Sequence, residues 1–165
     1  MIPVRSDRTR MLLALGLLVL LHFAVRPRIG HPSVAPDFLL LALLVFSIRS
    51  RPGSAAVAGF IIGILGDALT PARFGAGALA HTVIGYVTAW GRAVFFADNL
   101  LVNCAVFFGG VWLRNVLVLL ASGGEADGLM RELMIWSPLQ ALSTAIVGAV
   151  FLMVFRTWLD IRLEE

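Results

Sequence analysis

The 165-residue sequence contains no lysine, one cysteine and one tyrosine, and only 14% of its residues are charged. Soluble domains typically carry about 25% charged residues. The single cysteine, Cys104, excludes an internal disulfide bond and a cysteine-ligated metal cluster, and its apolar neighbours predict a packing role. All 13 basic residues are arginines that mostly flank apolar segments, so the net charge of +3 does not indicate a nucleic-acid-binding surface.

Apolar residues, in contrast, are abundant. Hydrophobic residues make up 59% of the chain and the mean hydropathy is +0.93. A single core of this size cannot bury so much apolar surface away from water, since soluble domains are only about 45–50% apolar. The composition therefore predicts an integral membrane protein, and the length predicts one domain.

The apolar segments are long enough to cross a bilayer repeatedly. A membrane-spanning helix needs about 20 mostly apolar residues. Turn-forming residues divide the chain at Pro27, Pro52, Pro71 and Gly123. The prediction is an all-α, six-transmembrane-helix bundle over residues 1–165, with spans at about 11–28, 34–48, 54–69, 74–91, 99–121 and 135–155. Because the middle spans are short and closely joined, five spans, with the third and fourth fused, are the alternative.

Arginine distribution predicts the orientation of the chain. With the N-terminus inside, eight arginines lie on the inner side and four on the outer side: Arg5, Arg8, Arg10, Arg49, Arg51, Arg92, Arg156 and Arg162 against Arg26, Arg28, Arg73 and Arg131. This bias predicts that both termini face the cytoplasm. The first apolar segment is predicted to be an uncleaved helix, because Arg26-Pro27-Arg28 follows it in place of a cleavage site.

No motif of a soluble enzyme is present, and the sequence predicts no catalytic, cofactor-binding or metal-binding residue. Gly63-Ile64-Leu65-Gly66-Asp67 differs from the Gly-x-Gly-Asp of intramembrane aspartyl proteases, and no matching second aspartate lies within a span.

Charged and polar residues inside the spans are the best functional indicators, because a charge at depth must face protein or water. Asp37, Asp67, His81 and Arg114 all fall in the outer half of the predicted bundle. The depths of Asp67 and Arg114 differ by about one helical turn, roughly 5 Å. We therefore expect a buried ion pair between Asp67 and Arg114, with Asp37 nearby, while Asp37 alone could cap its helix beside Pro36.

Two helix faces carry small or polar residues. Gly59 and Gly63 form a G-x-x-x-G pattern that Gly66 extends, which favours close helix packing. In the last span, Ser137, Gln140, Thr144 and Gly148 share one helical face. Each face is either packed inside the bundle or exposed to a partner protein, and the sequence does not distinguish the two.

Several segments together resemble the rod shape-determining protein MreD family. The resemblance depends on Pro36-Asp37-Phe38-Leu39-Leu40-Leu41, on Gly59-Phe60-Ile61-Ile62-Gly63-Ile64-Leu65-Gly66-Asp67, on residues 74–81 (FGAGALAH) and on Gly85-Tyr86. They follow the family's order and spacing over nearly the whole chain. Gly66 replaces the family's usual glutamine.

The resemblance implies a non-enzymatic scaffold in the bacterial inner membrane, within the cell-elongation or Rod complex. Its implied partners are the bitopic protein MreC, the synthases RodA and penicillin-binding protein 2, and MreB filaments, in direct or indirect contact. It also implies a fold similar to the six-helix substrate-binding subunits of energy-coupling-factor transporters.

That similarity supplies an alternative function, a small-molecule-binding subunit of a vitamin transporter. Such subunits often carry Ala-x-x-x-Ala in the first helix to dock on their coupling partner. The segment Met11–His22 holds only Ala14, which argues against the transporter.

Overall fold

The computed structural model describes residues 4–68, 74–91, 99–122 and 130–155. These ranges form six α-helices and no β-strand, which confirms the all-α prediction. The helices are α1 (Val4–Ala24), α2 (Phe38–Ser47), α3 (Pro52–Asp67), α4 (Ala76–Gly91), α5 (Leu100–Ala121) and α6 (Ser137–Phe155). A 3-10 turn, Arg26–Arg28, follows α1, and a π-helical turn, Glu132–Trp136, leads into α6.

Three of the described segments are long and apolar enough to cross a membrane. They are Thr9–Arg28, Leu100–Ala121 and Glu132–Phe155. The helices α3 and α4 have 16 residues each, and α2 has only 10. At 1.5 Å per residue, α2 is about 15 Å long, half of the roughly 30 Å hydrocarbon core. The protein is thus a membrane protein, while the number of times its chain crosses the bilayer stays a prediction.

Helix α2 is the core of the bundle. It contacts each of the other five helices, and nine of its ten residues are buried. The expected second span, 34–48, is therefore a short central helix preceded by a non-helical segment. Pro36 and Asp37 stop the helix from extending further back, since Asp37 is its N-cap.

Helices α3 and α4 form a tightly packed antiparallel pair. A Cβ atom on Gly59 would overlap the backbone of His81, and one on Gly85 would overlap the backbone of Ala55. Glycine at these positions therefore lets the two backbones touch. The third and fourth apolar segments are therefore two separate antiparallel helices and not one continuous helix, while the number of crossings stays a prediction.

The surface of the bundle is strongly apolar. Helix α1 buries one stripe, Ala14, Leu18 and His22, and exposes large apolar side chains such as Leu12 and Leu20. Exposed apolar side chains also lie on α3, α4, α5 and α6. Soluble monomers rarely expose apolar surface this extensively, so this exterior fits a lipid environment.

Candidate functional site: a polar cavity at one end of the bundle

Polar side chains gather at one end of the helix bundle, around a cavity of about 250 Å³. The ends of successive helices meet there in alternation: the C-terminal parts of α1, α3 and α5 and the N-terminal parts of α2 and α4. The cavity is lined by His22, Arg26, Asp37, Leu39, Ile62, Gly63, Gly66, Asp67, Gly77, His81, Arg114 and Val118. All four charged or ionisable residues that the depth argument selected, Asp37, Asp67, His81 and Arg114, thus lie around one cavity.

Asp37 and Arg114 form the ion pair of this cavity. The Nη2 group of Arg114 donates to Oδ2 of Asp37. The other carboxylate oxygen of Asp37 accepts the backbone N–H of Leu40 at 3.0 Å, which caps α2. Asp37 thus caps α2, as one alternative predicted, and also forms the pair with Arg114 that was expected of Asp67.

His22 completes the cap of α2. Its Nδ1 accepts the backbone N–H of Leu39 at 3.2 Å. Since this nitrogen accepts a hydrogen, its 3.6 Å approach to Asp37 Oδ1 brings two acceptors together and is not a hydrogen bond. Two of the N–H groups that the first turn of a helix leaves unpaired are therefore satisfied by side chains from outside the helix.

Asp67 has a different partner from the one expected. Its carboxylate accepts three backbone N–H groups at the start of α4, those of Gly75 (2.8 Å), Gly77 (3.1 Å) and Ala78 (2.9 Å). The prediction of an Asp67–Arg114 pair is therefore wrong, because Arg114 pairs with Asp37 and Asp67 caps α4. A helix N-terminus favours a carboxylate through its free N–H groups and its positive dipole end.

Glycines make this cap possible. Gly75 has φ +96°, a conformation that residues with a side chain rarely adopt. A Cβ atom on Gly77 would overlap the carboxylate of Asp67. His81, one turn further along α4, donates from Nδ1 to the carbonyl oxygen of Gly77 at 2.7 Å and is thus a buried, hydrogen-bonded histidine.

The polar face of α6 holds the non-helical segment before α2. Thr144 Oγ1 accepts the backbone N–H of Asp37 at 3.0 Å, and Gln140 Nε2 donates to the carbonyl oxygen of Ala35 at 3.3 Å. Ser143 Oγ donates to the carbonyl oxygen of Val34 at 2.6 Å. Irregular backbone at membrane depth needs such partners inside the protein. Ser137, Gln140 and Thr144 are buried within the chain, so they do not form an exposed face for a partner protein.

The glycine face of α3 is internal as well. Gly59 and Gly63 are buried against the backbone of α4, so they are not available to a partner protein. Gly66 is different, because an added Cβ would meet no atom within 4 Å and the residue lines the cavity. The internal-packing alternative therefore describes Gly59 and Gly63.

Sequence reasoning did not select His22, Arg26 and Asn115. Asn115 Nδ2 donates to Gln140 Oε1 at 3.0 Å and joins α5 to α6. The sequence did carry signals for two of them. Asn115 is a polar residue next to Arg114 within an apolar helix, and His22 ends an apolar run. Among the described residues, no group of three or more His, Cys, Asp or Glu side chains is arranged to hold a metal ion.

Comparison with characterised proteins and with solved structures gives no significant match. A family model, described as rod shape-determining protein MreD, matches residues 7–161. The match covers nearly the whole sequence, including every residue that lines the cavity. The chain therefore belongs to the MreD family of rod shape-determining proteins.

Proposed function

We propose that this protein is a non-enzymatic scaffold of the bacterial cell-elongation (Rod) complex. In this proposal it lies in the cytoplasmic membrane, binds an MreC-like bitopic protein, and supports RodA, penicillin-binding protein 2 and MreB filaments. The family match over residues 7–161 is the observation that carries the proposal, because it assigns the chain to a family that determines rod shape.

The chemistry of the buried polar groups supports a structural role. Asp37 and Asp67 cap helices, and Gln140 and Thr144 hold irregular backbone. Each group is thus engaged in joining elements of the bundle. A scaffold needs such internal connections because it must keep its shape while partners bind.

A groove between α4 and α5 offers a surface for the bitopic partner. Its volume is about 390 Å³, and its lining is almost entirely apolar. It is lined by Ile48, Ile84, Val87, Thr88, Gly91, Val102, Asn103, Val106, Gly109, Gly110, Trp112 and Leu113. Gly109 on this lining is exposed and would let another helix approach closely, as small residues do in membrane helix pairs. We propose that the single transmembrane helix of the MreC-like partner docks here.

Gly109 provides the test, because it is exposed and an added Cβ would meet no atom within 4 Å. Gly109→Leu should fill the groove without disturbing the bundle and should reduce co-purification with the MreC-like protein in mild detergent. Gly16→Leu is the matched control, since Gly16 is also an exposed helical glycine with no atom within 4 Å of an added Cβ, but it lies on α1.

The two variants and the unaltered protein test the docking surface and the scaffold function separately. Loss of partner and of rod shape with Gly109→Leu alone would support both the groove and the scaffold. Full partner binding by both variants would exclude the groove. Failure of the unaltered protein to co-purify with a bitopic partner would exclude the scaffold itself.

The cavity favours one other function, that of a small-molecule-binding subunit of a transporter. We propose that this chain shares the fold of such subunits in energy-coupling-factor transporters. A polar cavity enclosed by helix ends is the kind of site that such a subunit would need. Co-purification with an ATPase module instead of a bitopic protein would identify that function.

A further inference from the structure

Arg26 lines the cavity, close enough to Asp37 to interact with its charge but not paired with it. It begins the 3-10 turn after α1, and its side chain is half-buried. Its Nε is buried and has no hydrogen-bond partner. Within residues 4–68, 74–91, 99–122 and 130–155, the carboxylates form no ion pair with Arg26. A guanidinium has five N–H donors and keeps its charge, so this position is incomplete without an acceptor.

Arg114 also has donor capacity left. One of its terminal nitrogens pairs with Asp37, but its buried Nε has no partner. The two arginines line the 250 Å³ cavity and also a neighbouring polar cavity of about 210 Å³. The two arginine side chains therefore border both polar spaces, and Glu132 lies on the lining of the second one.

The carboxylates of the same cavity are already supplied with donors. Asp67 accepts three backbone N–H groups, and Asp37 accepts from Arg114 and from Leu40. The groups left without partners are thus donors that carry positive charge. Their complement is an anion with several acceptor oxygens, and arginine pairs with phosphate in particular through two parallel hydrogen bonds.

The size and position of the cavity further limit which ligands it can bind. Sites for drug-sized molecules typically measure about 300–1,000 Å³, so a cavity of about 250 Å³ suits a small group. Arg26 lies two residues after the last residue of α1, near the end of a segment long enough to span a membrane. In the proposed six-span topology, this end of α1 lies near the lipid headgroups.

We propose that the cavity between Arg26 and Arg114 binds a phosphate-bearing group. The phosphate oxygens accept from the guanidinium groups of Arg26 and Arg114, both of which line the cavity. This binding is independent of the proposed scaffold function, since it depends only on the donors of the cavity. The phosphate belongs either to a lipid headgroup or to a free phosphate ion, and the two sources are distinguishable.

The full-length protein, purified in a neutral detergent and stripped of lipid, is suited to thermal unfolding followed by tryptophan fluorescence. The probes are phosphatidylglycerol, diacylglycerol with the same acyl chains, and inorganic phosphate. Phosphatidylglycerol should raise the melting temperature and diacylglycerol should not. A shift with inorganic phosphate alone would identify the free ion, and a shift only with phosphatidylglycerol would identify the lipid.

Arg26→Gln should weaken the apparent affinity for the active probe at least about tenfold, because a charged donor is lost. Arg28→Gln is the matched control, since Arg28 lies in the same turn, is exposed and donates to the carbonyl of Ala24. If Arg26→Gln does not fold, Arg26→Lys replaces it as the test variant. Native mass spectrometry should then show that Arg26→Lys retains less phospholipid than the unaltered protein. Equal shifts in the Arg26 and Arg28 variants, or equal effects of diacylglycerol and phosphatidylglycerol, would overturn the proposal.

Discussion

Asp37 joins three parts of the molecule through one residue. Its carboxylate pairs with Arg114 of α5 and caps α2 through Leu40, and its backbone N–H donates to Thr144 of α6. The side chain is only 7% exposed, so little water is available to replace a lost partner. The residue should therefore tolerate replacement poorly unless Arg114 changes as well.

A double-mutant cycle tests this pair. Asp37→Asn should retain the cap but lose the charge, and Arg114→Leu should leave Asp37 unpaired. Removing one member of a buried pair typically costs about 3–5 kcal/mol. The double variant should lose less stability than the sum of the single variants, with a coupling energy of about 0.5–3 kcal/mol. Thermal unfolding in detergent and the level of folded protein measure both quantities.

Asp67 is the control for that cycle. Because its oxygens accept backbone N–H groups of α4, Asp67→Asn should be destabilising by itself. Combined with Arg114→Leu, its effect should add within about 0.5 kcal/mol. Strong coupling between Asp67 and Arg114, with none between Asp37 and Arg114, would contradict the pairing seen in the structure.

Sequence reasoning located this group of residues but assigned one pair incorrectly. Counting residues from the ends of apolar segments gives depth, and depth correctly brought Asp37, Asp67, His81 and Arg114 to one cavity. It does not give the rotation of a helix or the identity of its neighbour. The backbone amides that Asp67 accepts also have no sequence signature, because every residue except proline has one.

At the scale of elements, the largest departure from expectation is α2. Hydropathy predicted a span over 34–48, but only Phe38–Ser47 is helical. A run of apolar residues does not distinguish a helix that faces lipid from one buried on all sides. The polar face of α6 explains why the preceding segment can stay irregular, since Gln140 and Thr144 bond to it. That face was predicted, but its partner within the chain was not.

The α3–α4 contact allows a prediction from two glycines on one helix. A Cβ on Gly63 would lie 2.6 Å from the carbonyl oxygen of Gly77, which belongs to the backbone and cannot move aside. Gly63→Ala should therefore separate the helices and destabilise the protein by about 1–3 kcal/mol. Gly66→Ala should be neutral or stabilising, because its Cβ meets no atom within 4 Å and alanine favours helix.

Thermal unfolding of both variants in the same detergent compares the two glycines directly. The control is close, since the residues are three positions apart on α3. An equal loss of stability in both variants would mean that the helical glycines matter for a reason other than the contact with α4. No loss in either would mean that α3 and α4 pack less tightly than described.

In the molecule as a whole, C-terminal and N-terminal ends of successive helices alternate at one end of the bundle. Residues from the C-terminal parts of α1, α3 and α5 and from the N-terminal parts of α2 and α4 line one cavity. Gln140, near the start of α6, bonds to Asn115 of α5 and to Ala35 at the same end. The connections from α1 to α2, from α3 to α4 and from α5 to α6 therefore lie at the same end of the bundle. A chain with this arrangement is expected to cross the bilayer once with each helix. This arrangement supports six crossings and termini on one side.

The crossing by α2 needs a direct test, because ten residues are too few to span the hydrocarbon core alone. The single cysteine makes a labelling test practical in the full-length chain: Cys104→Ser removes it, and Ile29→Cys or Ser54→Cys places an exposed thiol before or after α2. We expect a membrane-impermeant maleimide to label position 29 from the outside of intact cells, and position 54 only after permeabilisation. A periplasm-dependent reporter fused to Glu165 should be inactive. Equal labelling at the two positions would show that α2 does not carry the chain across, and an active reporter would place the C-terminus outside.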